Sequence, residues 1–195
     1  MLTDTDRKFL RLAYEEAKAG YDEGGCPIGS VLARGDELVS QGRNQRVQKG
    51  DPIAHGEMDA LRKAGRQTSY RDMTIYTSLS PCMMCTGTII QFGIPRVVIG
   101  ENTTFGGNEE FLRSKGVEVI IALKNLMRER GIVPKGVDRL VEGLRKTGRS
   151  AMVTSATHRR REELGLPPLP ELDLEPLEIL LAEFDTPADD KGKGN

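Results

Sequence analysis

Four side chains in this 195-residue chain stand at spacings that could do chemistry: His55 with Glu57, and, 27 positions after the histidine, Cys82 with Cys85 behind Pro81. Cysteines at i and i+3 at the start of a helix lie on one face, one turn apart, close enough to share a metal ion. The helix N-terminus also favours the thiolate, which is the ligand form. A histidine at the first turn of a second helix adds a nitrogen, so the donor set is His55, Cys82 and Cys85. Three protein ligands on a tetrahedral zinc leave the fourth position to water, the arrangement of a catalytic centre. Zinc lowers the pKa of that water to about 7, so hydroxide is available at neutral pH. Glu57, two residues from His55, turns away from direct ligation yet stays beside the water, where its carboxylate can carry a proton to the substrate. Zinc hydroxide with one carboxylate shuttle suits hydrolytic attack on an amidine carbon, with ammonia leaving.

The same residues admit plainer readings. The metal could be structural, with Cys26 or His158 as a fourth ligand, or the chain could be a zinc-stabilised interaction module without catalysis. Cys82 and Cys85 could instead be a redox pair. The redox pair leaves His55 and Glu57 without a task, and the structural site leaves Glu57 without one. Cys26 reads as a small hydrophobe entering a strand, His158 beside Arg159-Arg160-Arg161 as a solvated residue, and Met83, Met84 and Met127 as core fillers.

The elements that must hold these groups follow from periodicity. Phe9, Leu10, Ala13 and Ala17 make the apolar stripe of a first helix, capped by Asp4 or Thr5 and ending at Gly20. Residues 27–33 and 37–41 read as a hairpin turning through Arg34-Gly35-Asp36, and 44–52 as a polar loop. Helices are expected over 54–64 and 82–92, with Pro81 opening the latter. Strands are expected over 73–77, 96–100 and 117–121. Alternating strands and helices indicate an α/β fold: a three-layer α/β/α sandwich with a mixed sheet of about five strands.

Composition places this among soluble proteins. The formal net charge is −1, no apolar run reaches the roughly 18 residues of a membrane span, and the N-terminal residues lack the apolar core of a secretory signal. Three cysteines are too few for a disulfide scaffold, so a reducing, cytoplasmic setting is expected. The charge is nevertheless segregated. Residues 124–161 hold eleven Lys or Arg against three Asp or Glu, and residues 162–195 hold two against ten. A +8 stretch followed by a −8 stretch can pair with itself, so neither membrane nor nucleic acid is implied as a partner.

More than the metal pattern matches a known family. Pro27-Ile28-Gly29, Asn44 with Gln48-Lys49-Gly50, His55-Gly56-Glu57, the run 79–87 (LSPCMMCTG), Gly93-Ile94-Pro95-Arg96 and Gly100-Glu101-Asn102 with Phe105 occur in matching order. Over residues 1–121 the chain resembles the cytidine-deaminase-like superfamily, and within it the free-base cytosine deaminases of the yeast type. His-x-Glu followed by Pro-Cys-x-x-Cys is the signature of zinc deaminases. The resemblance implies Zn2+ on His55, Cys82 and Cys85, with Glu57 as proton shuttle. It further implies that the Asn44 side chain and the Gly56 backbone hydrogen-bond the base, that Ile28, Leu79, Ser80 and Phe105 line the pocket, and that the protein is a homodimer. Such enzymes close the pocket with a C-terminal tryptophan and an acidic residue. This chain has no tryptophan, and Phe184 with Asp185 are the residues available for those parts.

The expectation is therefore a zinc-dependent hydrolytic deaminase of a small-molecule base, foremost cytosine to uracil and ammonia. The alternatives are another cyclic amidine (guanine, isocytosine, creatinine) and, behind them, a nucleoside or nucleic acid. Residues 1–121 form the deaminase domain, 122–185 a helical extension packed on it, and 186–195 a disordered tail.

Overall fold

The computed structural model describes residues 2–102, 105 and 107–122. The expected extension and tail, Asp185 included, lie outside the described residues beyond Ala122. Five strands, β1 (Gly29–Arg34), β2 (Glu37–Arg43), β3 (Thr74–Leu79), β4 (Arg96–Glu101) and β5 (Glu118–Ile121), form one sheet in the order β2-β1-β3-β4-β5. β1 runs antiparallel to β2 and β3, whereas β3, β4 and β5 are parallel. The expected mixed sheet of five strands is the one observed. One consequence of this order matters for the site. The carboxyl ends of β2, β3 and β4 and the amino end of β1 all fall on one rim.

Alternation along the strands sorts the core into two layers. Val31 and Ala33 of β1, Tyr76 of β3 and Val98 of β4 face α1 (Asp4–Asp22) and pack on Phe9, Leu10 and Ala13. Leu32, Ile75, Val97 and Ile99 face the other way, towards α3 (Gly56–Ala64) and α4 (Met83–Phe92), meeting Leu61 and Ile89. Leu112 of the short α5 (Glu109–Ser114) joins that second layer. Helices on both faces of a sheet make the expected three layers. Among the described residues, no helix is long and apolar enough to cross a membrane.

Several boundaries differ from the periodicity reading, each for a local reason. Thr3 caps α1, not Asp4 or Thr5, because Thr3 and Asp6 close a capping box: the Thr3 hydroxyl accepts the Asp6 amide at 3.1 Å and the Asp6 carboxylate accepts the Thr3 amide at 3.0 Å. The polar loop at 44–52 contains one helical turn, α2 (Arg46–Lys49), stopped by Gly50 in the left-handed region. The second and third long helices start one or two residues late because His55 and Cys82 are extended N-cap residues, at φ −73°, ψ 160° and φ −68°, ψ 172°. The strands at 74–79 and 96–101 run past their expected ends, and α5 was not expected at all.

Asp6 also ties α1 to the sheet. Its buried carboxylate takes a bidentate bond from Arg96 of β4, at 2.6 and 3.0 Å, and a third from the Tyr76 hydroxyl at 3.2 Å. Burial opposes the charge, but Arg96 and the Thr3 amide and hydroxyl prevail and hold the carboxyl below its usual range. Asp6→Ala is expected to cost about 3 kcal/mol, the lower end for breaking a buried pair, because Arg96 keeps Glu118. Since the folded pKa is depressed, this contribution is complete above the ordinary carboxylate range and is lost as pH falls through the folded value. Denaturant melts of wild type and variant at neutral and acid pH check both: the gap between them must close at low pH.

Candidate active site

The three expected donors converge. The Cys82 and Cys85 sulfurs are 3.6 Å apart, and the His55 Nδ1 lies 3.4 Å from the first and 3.6 Å from the second. Zinc bonds of about 2.3 Å to sulfur and about 2.0 Å to nitrogen, at tetrahedral angles, place ligand atoms about 3.5–3.8 Å apart. The donor set therefore fits zinc in chemistry and in size. A redox pair needs no third atom, yet the imidazole nitrogen is as close to each sulfur as the sulfurs are to each other. Among the described residues, no fourth His, Cys, Asp or Glu joins these atoms. Cys26, buried elsewhere, is not the fourth ligand of a structural site.

Local structure explains the convergence. His55 is the N-cap of α3 and Cys82 the N-cap of α4, and neither side chain caps its own helix. Two helix N-termini are thus aimed at one point, where their dipoles favour thiolate. Cys82 is pushed down to about 3, chiefly by its hydrogen bond with Cys85; burial opposes this and His55 adds to it. The same bond, with burial, pushes the Cys85 thiol up. His55 is raised, first by its bond to Cys82. Two thiolates this close repel, and a cation between them removes the conflict.

Glu57, on the first turn of α3, is only 3 % exposed. Burial lifts its carboxyl above the usual range, against the pull of its own backbone amide. It reaches the Cys85 thiol by a hydrogen bond and does not join the donor triangle. A buried carboxyl beside the metal position, outside the ligand set, can hold and release a proton there.

Of the residues expected to surround a base, Ile28, Asn44, Leu79 and Ser80 lie on one rim of the sheet. Asn44 follows the end of β2, Ile28 precedes β1, Leu79 ends β3 and Ser80 follows it. The Ile28 carbonyl accepts the Asn44 amide at 2.8 Å, and a Cβ built on Gly56 would come within 3.1 Å of that same oxygen. Ile28 therefore lies against both Asn44 and Gly56, the latter next to His55. Asn44 is fully buried; its Oδ1 accepts the Arg46 amide at 3.2 Å, and its Nδ2 has no hydrogen-bond partner among the described residues. Ser80 is buried, and Leu79 and Phe105 are half-buried.

Two carboxylates escaped the sequence reading. Asp59, 1 % exposed, accepts the Arg43 amide at 3.3 Å and pairs with Lys63 at 2.9 Å, pinning the end of β2 next to Asn44. Glu109 accepts bonds around Ser80. Neither sits in a motif, and their partners are 16 and 29 residues away in sequence, so no local signal could have found them.

Known proteins resemble this arrangement and its sequence. Residues 3–101 match the family model described as the cytidine and deoxycytidylate deaminase zinc-binding region. A cytosine deaminase of Candida albicans is 52 % identical over 122 residues, which are 61 % of this chain and 81 % of that protein. A tRNA-specific adenosine deaminase of Buchnera aphidicola is 37 % identical over 103 residues, 51 % of this chain and 68 % of that protein. A solved structure from studies of A-to-I editing by tRNA:A34 deaminases superposes with a TM-score of 0.52 at 25 % identity, covering 58 % of this chain and 96 % of that one. With more than half of its length matched and a donor triangle of zinc dimensions, the chain belongs to the cytidine and deoxycytidylate deaminase family and is a zinc-dependent hydrolytic deaminase.

Proposed function

We propose that the substrate is a free nucleobase, with cytosine and water giving uracil and ammonia. The observation that carries this reading is the 52 % identity to a cytosine deaminase. His55, Cys82 and Cys85 hold zinc, which when bound acidifies a water and so supplies a nucleophile near neutral pH. Glu57 passes one proton to the ring nitrogen as the carbon–oxygen bond forms, and a second, given up by the new hydroxyl as it becomes the carbonyl, to the amino group, which leaves as ammonia when the carbon–nitrogen bond breaks. The orphaned Asn44 Nδ2 supports a base with a carbonyl: a buried donor without an acceptor costs about 1–3 kcal/mol, and an exocyclic oxygen relieves it. Because Arg46 occupies Oδ1, the amide offers the pocket its donor end. Gly56 contributes its backbone, and Ile28, Leu79, Ser80 and Phe105 enclose the ring.

The reaction test is ammonia release by the zinc-loaded full chain from cytosine, cytidine, guanine, isocytosine and creatinine. Cytosine is expected to be turned over fastest. Turnover of another ring with cytosine inert would replace the substrate and keep the chemistry. That second reading is favoured by one feature, the lack of any tryptophan to close the pocket.

The same reading makes residues 1–121 the catalytic domain. It makes the protein a cytoplasmic homodimer. The free cysteines support a reducing compartment, since ligation needs thiolate. Ile53, Met83 and Phe92, lying before α3 and along α4, are exposed, so Met83 is not the core filler expected of it, and the three support a partner subunit. Sedimentation equilibrium of the full chain reads the subunit number directly.

A further inference from the structure

Ser80 directly follows β3, one residue before Pro81 and two before the metal ligand Cys82, so its placement sets both a wall of the base pocket and the entry to α4. It is held from two sides. Its amide donates to the Glu101 carbonyl at 3.1 Å, and its hydroxyl donates to Glu109 Oε1 at 2.8 Å. The same oxygen of Glu109 accepts the Asn102 side-chain amide at 2.9 Å, so one carboxylate joins the ends of β3 and β4. Next to it, the Asn108 side-chain amide donates to the Pro81 carbonyl at 3.2 Å. A Cβ on Gly107 would come within 2.4 Å of the Ser80 hydroxyl oxygen, so only glycine lets the 107–109 segment lie this close. Glu109 is 8 % exposed. Burial alone would raise its carboxyl, but its own amide, Asn102, Ser80 and the Gly107 amide together hold it below the usual range. A buried carboxylate this fully committed to neighbours has a partner of its own: the turn that carries Ser80.

We propose that Glu109 is a positioning residue for the base pocket, acting through the Ser80 hydroxyl, which it keeps fixed against the ends of β3 and β4. This rests on the reading that Ser80 lines the pocket of a base deaminase. Glu109 touches neither the zinc ligands nor Glu57 in this network, so its removal loosens the grip on the ring and leaves the donor triangle in place. A pocket wall displaced by a fraction of an ångström weakens binding of ground state and transition state alike, which appears in KM.

The test is steady-state ammonia release from cytosine by the zinc-loaded full chain, with zinc content measured in parallel, for wild type, Glu109→Ala, Glu109→Gln, Ser80→Ala and the Glu109→Ala/Ser80→Ala double variant. Glu109→Ala is expected to raise KM about tenfold to a hundredfold with kcat within about threefold, at one zinc per chain. Glu109→Gln, whose amide oxygen still accepts both bonds, restores most of the loss. In the Ser80→Ala background, Glu109→Ala adds nothing further. Should Glu109→Ala fail to fold, Ser80→Ala deletes the same bond from its other end and must raise KM by itself. An unchanged KM in Ser80→Ala, or an equal increase with and without the Ser80 hydroxyl, overturns the inference. So does loss of zinc in place of a change in KM. A wild type that turns over no base at all overturns the functional reading, and this inference with it; an active wild type with an indifferent Glu109→Ala overturns this inference alone.

Discussion

Glu57→Gln is expected to hold a full complement of zinc and to lose about 10²–10⁴-fold in kcat. The substitution keeps the shape of a side chain that is only 3 % exposed, so packing around α3 is undisturbed. It leaves His55, Cys82 and Cys85 untouched, so metal content does not fall. What it removes is a group able to accept a proton and give it back. Burial has already lifted the Glu57 carboxyl towards the neutral form, which is the condition under which it can carry a proton between water and ring near neutral pH. The amide of glutamine does neither. Because the loss lies in proton transfer, KM should change little while kcat collapses. Paired zinc analysis and steady-state kinetics separate the two quantities, and a variant that keeps wild-type kcat would remove Glu57 from this role.

Cys85→Ala should produce the opposite pairing, with loss of metal and of all turnover. Two donors remain, and the sulfur removed is the one buried between the helices, with no exposed surface. The effect extends to stability. Zinc at about a thousand times its dissociation constant stabilises a folded protein by about 4 kcal/mol, here by linking the N-termini of α3 and α4 across 27 residues of chain. Wild-type protein stripped with a chelator should therefore melt several degrees higher once zinc is restored, and the variant should melt at one temperature with or without it. A Cys85→Ala protein that retains one zinc and a zinc-dependent melting point would show that the triangle is not the metal site.

How much of this was legible beforehand differs element by element. The strands of the core were readable because Val97-Val98-Ile99 and Ile75-Tyr76 are β-branched or aromatic runs bounded by Pro95, Gly100 and polar residues. The metal ligands were readable because their chemistry is written in residue type and spacing. Helix starts were misplaced for a reason tied to function: His55 and Cys82 must leave helical geometry to point their donors at a shared ion, and periodicity cannot register that. α5 was illegible because six residues with three charges and only Phe111-Leu112 apolar carry no stripe. Asn44 was identified through resemblance alone, since an asparagine after a strand ordinarily marks a turn. Asp59 and Glu109 depend on contacts between segments brought together only by folding, so their roles belong to tertiary structure.

The antiparallel insertion of β1 among otherwise parallel neighbours has a practical corollary. It brings Ile28, Asn44, Ser80 and Asn102 to one rim, and thereby leaves the Arg34-Gly35-Asp36 turn and the Lys115-Gly116 turn on the opposite rim. Gly35 and Gly116 both have positive φ and open space where a side chain would stand. That far rim is where a surface tether, a spectroscopic label or an inserted affinity peptide belongs, because it is separated from the chemistry by the full length of the strands.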